Sequence, residues 1–170
     1  MLGVTGDVPA LEGTIGAHTD ETSSVACVLN WFGPTKLLTM NDFDSTMDHD
    51  APDSPESVML GGPIVENKAK APDASPITHV SKGDAPALTI HGTTDPLAPY
   101  NQCEIFHAAL GKAGVPSILR EITDGGHGKG FGDPRIMQRM RAFIEKHLLG
   151  KHIIVDQNPI PRLTQGSASR

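Results

Sequence analysis

The chain has 170 residues, a net charge of -6 and a pI near 5.7. That length suits one domain with a buried core, and the acidic balance argues against nucleic acid or an anionic membrane surface as the main partner. No apolar run reaches membrane-spanning length, and Met1-Leu2-Gly3-Val4-Thr5-Gly6-Asp7 has neither the basic start nor the apolar block of a signal peptide. Cys27 and Cys103 are far apart and unpatterned, so a reducing, cytoplasmic compartment is the default reading rather than a disulfide framework.

Residues 1–22 are rich in Gly, Thr and acidic groups and read as loop. Val25 to Phe32 is a continuous apolar run closed by Gly33-Pro34, which predicts a strand buried on both faces of a parallel sheet. Residues 34–84 form a long polar insertion with two short helical candidates. One begins at Ser54 as N-cap with Pro55 at the first helical position; the other covers Ile64 to Ala71 and stops before Pro72. An interruption of this length inside a compact domain usually shapes a binding site.

Ala87 to His91 predicts a second buried strand, and Tyr100 to Gly111 a helix with Ile105, Phe106, Ala109 and Leu110 on one face. Val115 to Ile122 predicts a third strand. Asp133 then caps a final helix with Pro134 at its first position and an apolar stripe of Ile136, Met137, Met140, Phe143, Ile144 and Leu148, ending at Gly150. The order points to an α/β protein, parallel strands with flanking helices, over residues 1–150. Residues 151–170 read as a loosely ordered tail.

Two loops carry the chemistry. The strand ending at His91 runs into Gly92-Thr93-Thr94-Asp95, and the strand ending at Ile122 runs into Gly125-Gly126-His127-Gly128. Each motif follows the carboxyl end of a parallel strand, where open α/β sheets place their sites. An acid followed by a histidine, in that chain order, matches the second and third members of a Ser…Asp…His triad. Taken singly, Asp95 is equally a turn former before Pro96, and His127 a polar residue in a glycine loop. The serine of a G-x-S-x-G turn appears nowhere in the sequence.

These segments, with Asn30-Trp31-Phe32-Gly33-Pro34 and Ala74-Ser75-Pro76-Ile77, resemble the α/β-hydrolase esterase/lipase family related to feruloyl and acetyl-xylan esterases and to prolyl-oligopeptidase-type domains. The resemblance covers residues 1–149. It implies a partial α/β-hydrolase fold lacking the N-terminal half of the sheet, with the true N-terminus missing and Met1 to Gly6 forming the tail of the helix after the serine elbow. It implies a serine-type carboxylic-ester hydrolase with catalytic Asp95 and His127, a small-molecule ester substrate, and no cofactor or metal. Trp31, Phe32 and Leu97, at or near strand ends, are substrate-pocket candidates, with core packing the other reading of Phe32.

Lacking the elbow, the isolated chain is expected to have little or no activity. One alternative is a complete hydrolase with a recruited nucleophile. Cys103, in the first turn of a helix whose dipole could lower a thiol pKa, is the leading candidate for that role, ahead of a serine of the long loop. Ser23 and Ser24 precede the first strand and fall at the opposite end of the sheet, and Ser167 and Ser169 lie in the tail. Another alternative is a non-catalytic fragment that forms homo-oligomers through the exposed edge of the first strand. His91 is expected to end its strand and pack beneath the acid loop. Asp42, Asp44, Asp48, His49 and Asp50 lack calcium-loop spacing and read as a solvated loop.

Overall fold

The computed structural model describes residues 1–161. Its centre is a parallel sheet of three strands in the order β1 (Val28–Trp31), β2 (Ala87–Gly92) and β3 (Ser117–Ile122). Val28 aligns with Ala87, and Ala87 with Ser117, so all three strands deliver their carboxyl ends to one edge. β2 is buried along its whole length, as its unbroken apolar run predicts. Its side chains alternate between two layers. Leu88 and Ile90 join Phe131, Ile136 and Phe143 on one face, whereas Ala87 joins Phe106, Leu110 and Val115 on the other. Helix α2 (Asn101–Lys112) covers the second face and α3 (Pro134–His147) the first.

β1 differs from expectation. Only Val28–Trp31 is strand, and its residues are half-buried or exposed, Trp31 being 38% accessible; Val25, before the strand, is 36% accessible. Among the described residues β1 pairs with β2 alone, so one side of it lies open. Residues 1–22 are loop interrupted by short 3-10 turns at Leu2–Val4 and Pro9–Leu11, and Val4 anchors the first turn in the α2-side core.

The insertion is more than a polar loop, because Leu37, Leu60, Ile64 and Ala71 build a small core of their own. Helix α1 (Pro55–Leu60) starts where expected: Ser54 Oγ accepts the Ser57 N–H at 3.1 Å, and Gly61 ends the helix at a φ of 81°. The helix expected over 64–71 shrinks to a 3-10 turn, Ile64–Glu66. Asn67 Nδ2 donates to the Pro63 carbonyl at 3.0 Å, a local side-chain bond that competes with helix propagation. Gln102, at the start of α2, ties the insertion down. Its Oε1 accepts the Thr35 and Lys36 N–H groups at 3.0 and 2.8 Å.

The Asp133 cap and Pro134 start of α3 are as expected. Of its apolar stripe Ile136 and Phe143 are buried with Met140 packed against them, but Arg139 joins the inward face, and Met137 and Leu148 are exposed. The segment 151–161 packs on this helix and is not a loose tail. Val155 and Ile160 are buried against Ile136 and Phe143, and Ile160 bridges Ile122 beside β3. Arg139 pairs with Asp156 and donates to the Asn158 carbonyl. Ser167 and Ser169 lie outside the described residues.

Candidate active site

Beyond β2 and β3 the chain makes two loops that are stitched together. The Thr94 N–H and hydroxyl both donate to the Gly125 carbonyl at 3.0 Å, and the Asp124 N–H donates to Thr93 Oγ1 at 2.9 Å. Gly92 allows this approach: a Cβ there would stand 2.3 Å from the Gly125 carbonyl oxygen. The stitching brings Asp95 and His127 together. Asp95 is 5% exposed, and its Oδ1 accepts the N–H groups of Leu97 at 2.9 Å and Ala98 at 3.0 Å. His127 Nδ1 lies 2.9 Å from Oδ2 and 3.2 Å from Oδ1.

That contact selects a tautomer. A buried carboxylate facing Nδ1 requires the proton on Nδ1, which leaves Nε2 with a free lone pair. Nε2 makes no hydrogen bond among the described residues, and the His127 side chain is 35% exposed. An oriented imidazole with an open, basic nitrogen can take a proton from a nucleophile and return it to a leaving group.

An aromatic wall stands beside it. The Phe32 ring is 4.1 Å from the His127 ring and meets Phe131 edge-on at 5.0 Å; Trp31 lies 5.1 Å from Phe131. Phe32 adopts a φ of 40°, a left-handed conformation that costs a non-glycine residue about 1–3 kcal/mol. The turn sets the Phe32 ring against the histidine. Phe131 escaped the sequence reading, although its place four residues after His127 among glycines was the available signal. Leu97 lies on the acid loop, 38% exposed. A cavity of about 640 Å³ opens beside Asp95, where the insertion residues Phe43 to Thr46 face the start of α2. Its lining includes the Asp44 and Glu104 carboxylates and the buried amide of Asn101, which has no hydrogen-bond partner among the described residues.

The recruited-nucleophile candidates fare poorly. Cys103 is fully buried, and burial pushes its thiol pKa up, so desolvation outweighs the helix N-terminus. Its Sγ donates to the Tyr100 carbonyl. Ser45 has the outline of a triad: Oγ lies 3.2 Å from His49 Nε2, whose Nδ1 lies 3.2 Å from Glu56. Yet the same Oγ accepts the Met47 N–H and lies 3.0 Å from the Pro96 carbonyl, which competes with His49 for its single proton. Ser24 sits with Asp84 to Pro86, before the amino end of β2 and opposite the site.

The acidic segment also differs from a plain solvated loop, because His49 is buried against Glu56. Asp48 caps its own turn, and the Asn41 hydrogen bond holds its carboxyl below the usual range. Among the described residues no three His, Cys, Asp or Glu side chains converge as a metal-binding group, and no helix is long and apolar enough to cross a membrane.

The parallel sheet, its two helical layers and the loops at its carboxyl edge define an α/β-hydrolase. The BD-FAE family model matches residues 1–110, and the chain belongs to that esterase family. The matched span includes Asp95 and stops short of His127. A solved truncated form of a carbohydrate esterase from gut microbiota is similar, with a TM-score of 0.77 and 28% identity over 86% of this chain and 54% of its own. A bifunctional GH43-CE protein of Bacteroides eggerthii is 28% identical with a TM-score of 0.73, over 85% of this chain and 21% of that one. Non-reducing polyketide synthase ausA of Penicillium brasilianum is 32% identical over 111 residues, 64% of this chain and 4% of the synthase. The chain thus spans about half the esterase and a small fraction of the synthase.

Proposed function

We propose that the chain carries the acid and base of a serine-type carboxylic-ester hydrolase. The observation that carries this reading is the 2.9 Å contact between His127 Nδ1 and the buried Asp95 Oδ2, which leaves Nε2 unbonded. Asp95 holds the imidazole in one tautomer and stabilises the imidazolium that forms. His127 Nε2 takes the proton of a serine hydroxyl as that oxygen attacks the ester carbonyl. It then gives the proton to the departing alcohol, and water releases the acid in the reverse sense. Trp31, Phe32 and Phe131 form the apolar side of the substrate pocket.

On this reading the serine and the oxyanion donors belong to a segment outside these 170 residues. The absent G-x-S-x-G turn and the 54% coverage of the similar esterase support it. The coding DNA before Met1 then contains an in-frame G-x-S-x-G. The longer product hydrolyses p-nitrophenyl acetate, and His127→Ala or Asp95→Asn lowers kcat on the order of 10⁴-fold. The 170-residue protein alone shows little or no turnover and no stoichiometric fluorophosphonate label. A label fixed on one of its own residues would overturn the assignment.

A further inference from the structure

Asp95 lies between two imidazoles, and the reading above uses only one. His127 meets Oδ2 from the accessible side. His91, on β2, meets it from beneath, with Nε2 3.4 Å from Oδ2 and 2.9 Å from the Ala98 carbonyl oxygen. The His91 and Asp95 side chains are both fully buried. The Ala98 carbonyl can only accept, so the proton sits on Nε2. Nδ1 of the same ring is buried without a hydrogen-bond partner among the described residues, as the bare nitrogen of a neutral imidazole would be.

The Ala98 peptide is therefore held at both ends. Its N–H donates to Asp95 Oδ1, and its carbonyl accepts from His91. The Leu97 and Ala98 amides both bond Oδ1, while His127 Nδ1 makes its shorter contact, 2.9 Å, with Oδ2, and His91 Nε2 stands 3.4 Å from the same oxygen. We propose that His91 is a positioning residue: its Nε2–H, donated to the Ala98 carbonyl and facing Asp95 Oδ2 at 3.4 Å, holds the peptide whose N–H binds Oδ1 and so fixes the carboxylate on which His127 is oriented. The proposal rests on the assignment of Asp95 and His127 as acid and base.

Neutrality is part of the device. A cation at this position would compete with His127 for the Asp95 charge, whereas a neutral N–H directs the carboxylate and leaves that charge available to the imidazolium. The ring also has a packing role, standing edge-on to Tyr100 at 5.6 Å and to Phe32 at 6.5 Å. Any test must therefore separate the donor from the ring.

Two substitutions do so in the 170-residue protein, read by NMR of the ¹⁵N-labelled imidazoles. His91→Gln keeps an N–H donor and loses the ring; His91→Phe keeps a ring and loses the donor. The expected result is that His91→Gln retains the low-field Nδ1–H resonance of His127, while in His91→Phe that proton exchanges about tenfold faster, as loss of one buried hydrogen bond implies. The reverse order, with Phe retaining the signal and Gln losing it, would overturn the proposal in favour of packing. In the unsubstituted protein, His91 is expected to be neutral with its proton on Nε2 at neutral pH; a cation or the Nδ1–H tautomer overturns it without any variant. Asp95→Asn is the control. If it leaves the His127 resonance unchanged, the acid–base assignment itself fails; if it abolishes the resonance while both His91 variants keep it, only the role of His91 fails.

Discussion

At the scale of single residues, the site depends on how completely one carboxylate is surrounded. Asp95 accepts two backbone amides and the His127 N–H, with His91 beneath, so little freedom remains for its side chain. Burial lowers the His91 pKa, against smaller opposing contributions from the Ala98 carbonyl and Asp95. The folded protein therefore binds this proton less readily than the unfolded chain. Stability from this group is present above the unfolded pKa, about 6.5, and is lost as pH falls below it, with a slope of at most about 1.4 kcal/mol per pH unit. Thermal melts from neutral to mildly acidic pH should show Tm falling, and His91→Gln should flatten part of that fall. An equal fall in both proteins would remove His91 as its source. Gly92 sets a steric limit, because Gly92→Ala places a Cβ against the Gly125 carbonyl. A loss of about 1–3 kcal/mol in urea unfolding is the expected cost of the overpacking.

At the scale of elements, local signals and packing contribute separately. The caps at Ser54 and Asp133 were legible because an N-cap followed by proline is a local pattern. Ser54→Ala should cost about 1 kcal/mol, and more if the Ser54 hydroxyl bond to the His49 carbonyl also counts. The burial of Arg139 on the inner face of α3 was not legible, since its partners are Asp156 and the Asn158 carbonyl, far along the chain. Ile160→Ala tests that packing: a fully buried residue loses about 2–5 kcal/mol, whereas a loose tail would lose almost nothing.

At the scale of the whole molecule, the sheet is unevenly protected. α2 and α3 cover both faces of β2, while β1 presents an edge that pairs with nothing further among the described residues. Open backbone donors and acceptors on such an edge template the addition of another strand. We propose that the isolated chain associates through β1, with the accessible Val25 and Trp31 nearby. Light scattering should show a mass that rises with concentration. A lysine substituted for Leu29, which is half-buried in β1, should reduce it; a monomer at every concentration would count against this edge.

The sequence by itself determined the α/β class, the positions of its strands and main helices, and the placing of Asp95 and His127 at one edge. Periodicity, caps and strand ends are local properties, and two motifs that each follow a parallel strand must share an edge. What required the tertiary structure was everything set by contact across the fold. It decided that His91 faces the Asp95 carboxylate, that Phe131 joins the aromatic wall, and that Cys103 is buried with its thiol pKa pushed up. It also decided that residues 151–161 pack against α3. Burial and hydrogen-bond partnership depend on residues distant in the chain, so an aspartate and a histidine can be placed at one edge from their loops, while their orientation depends on what lies beneath them.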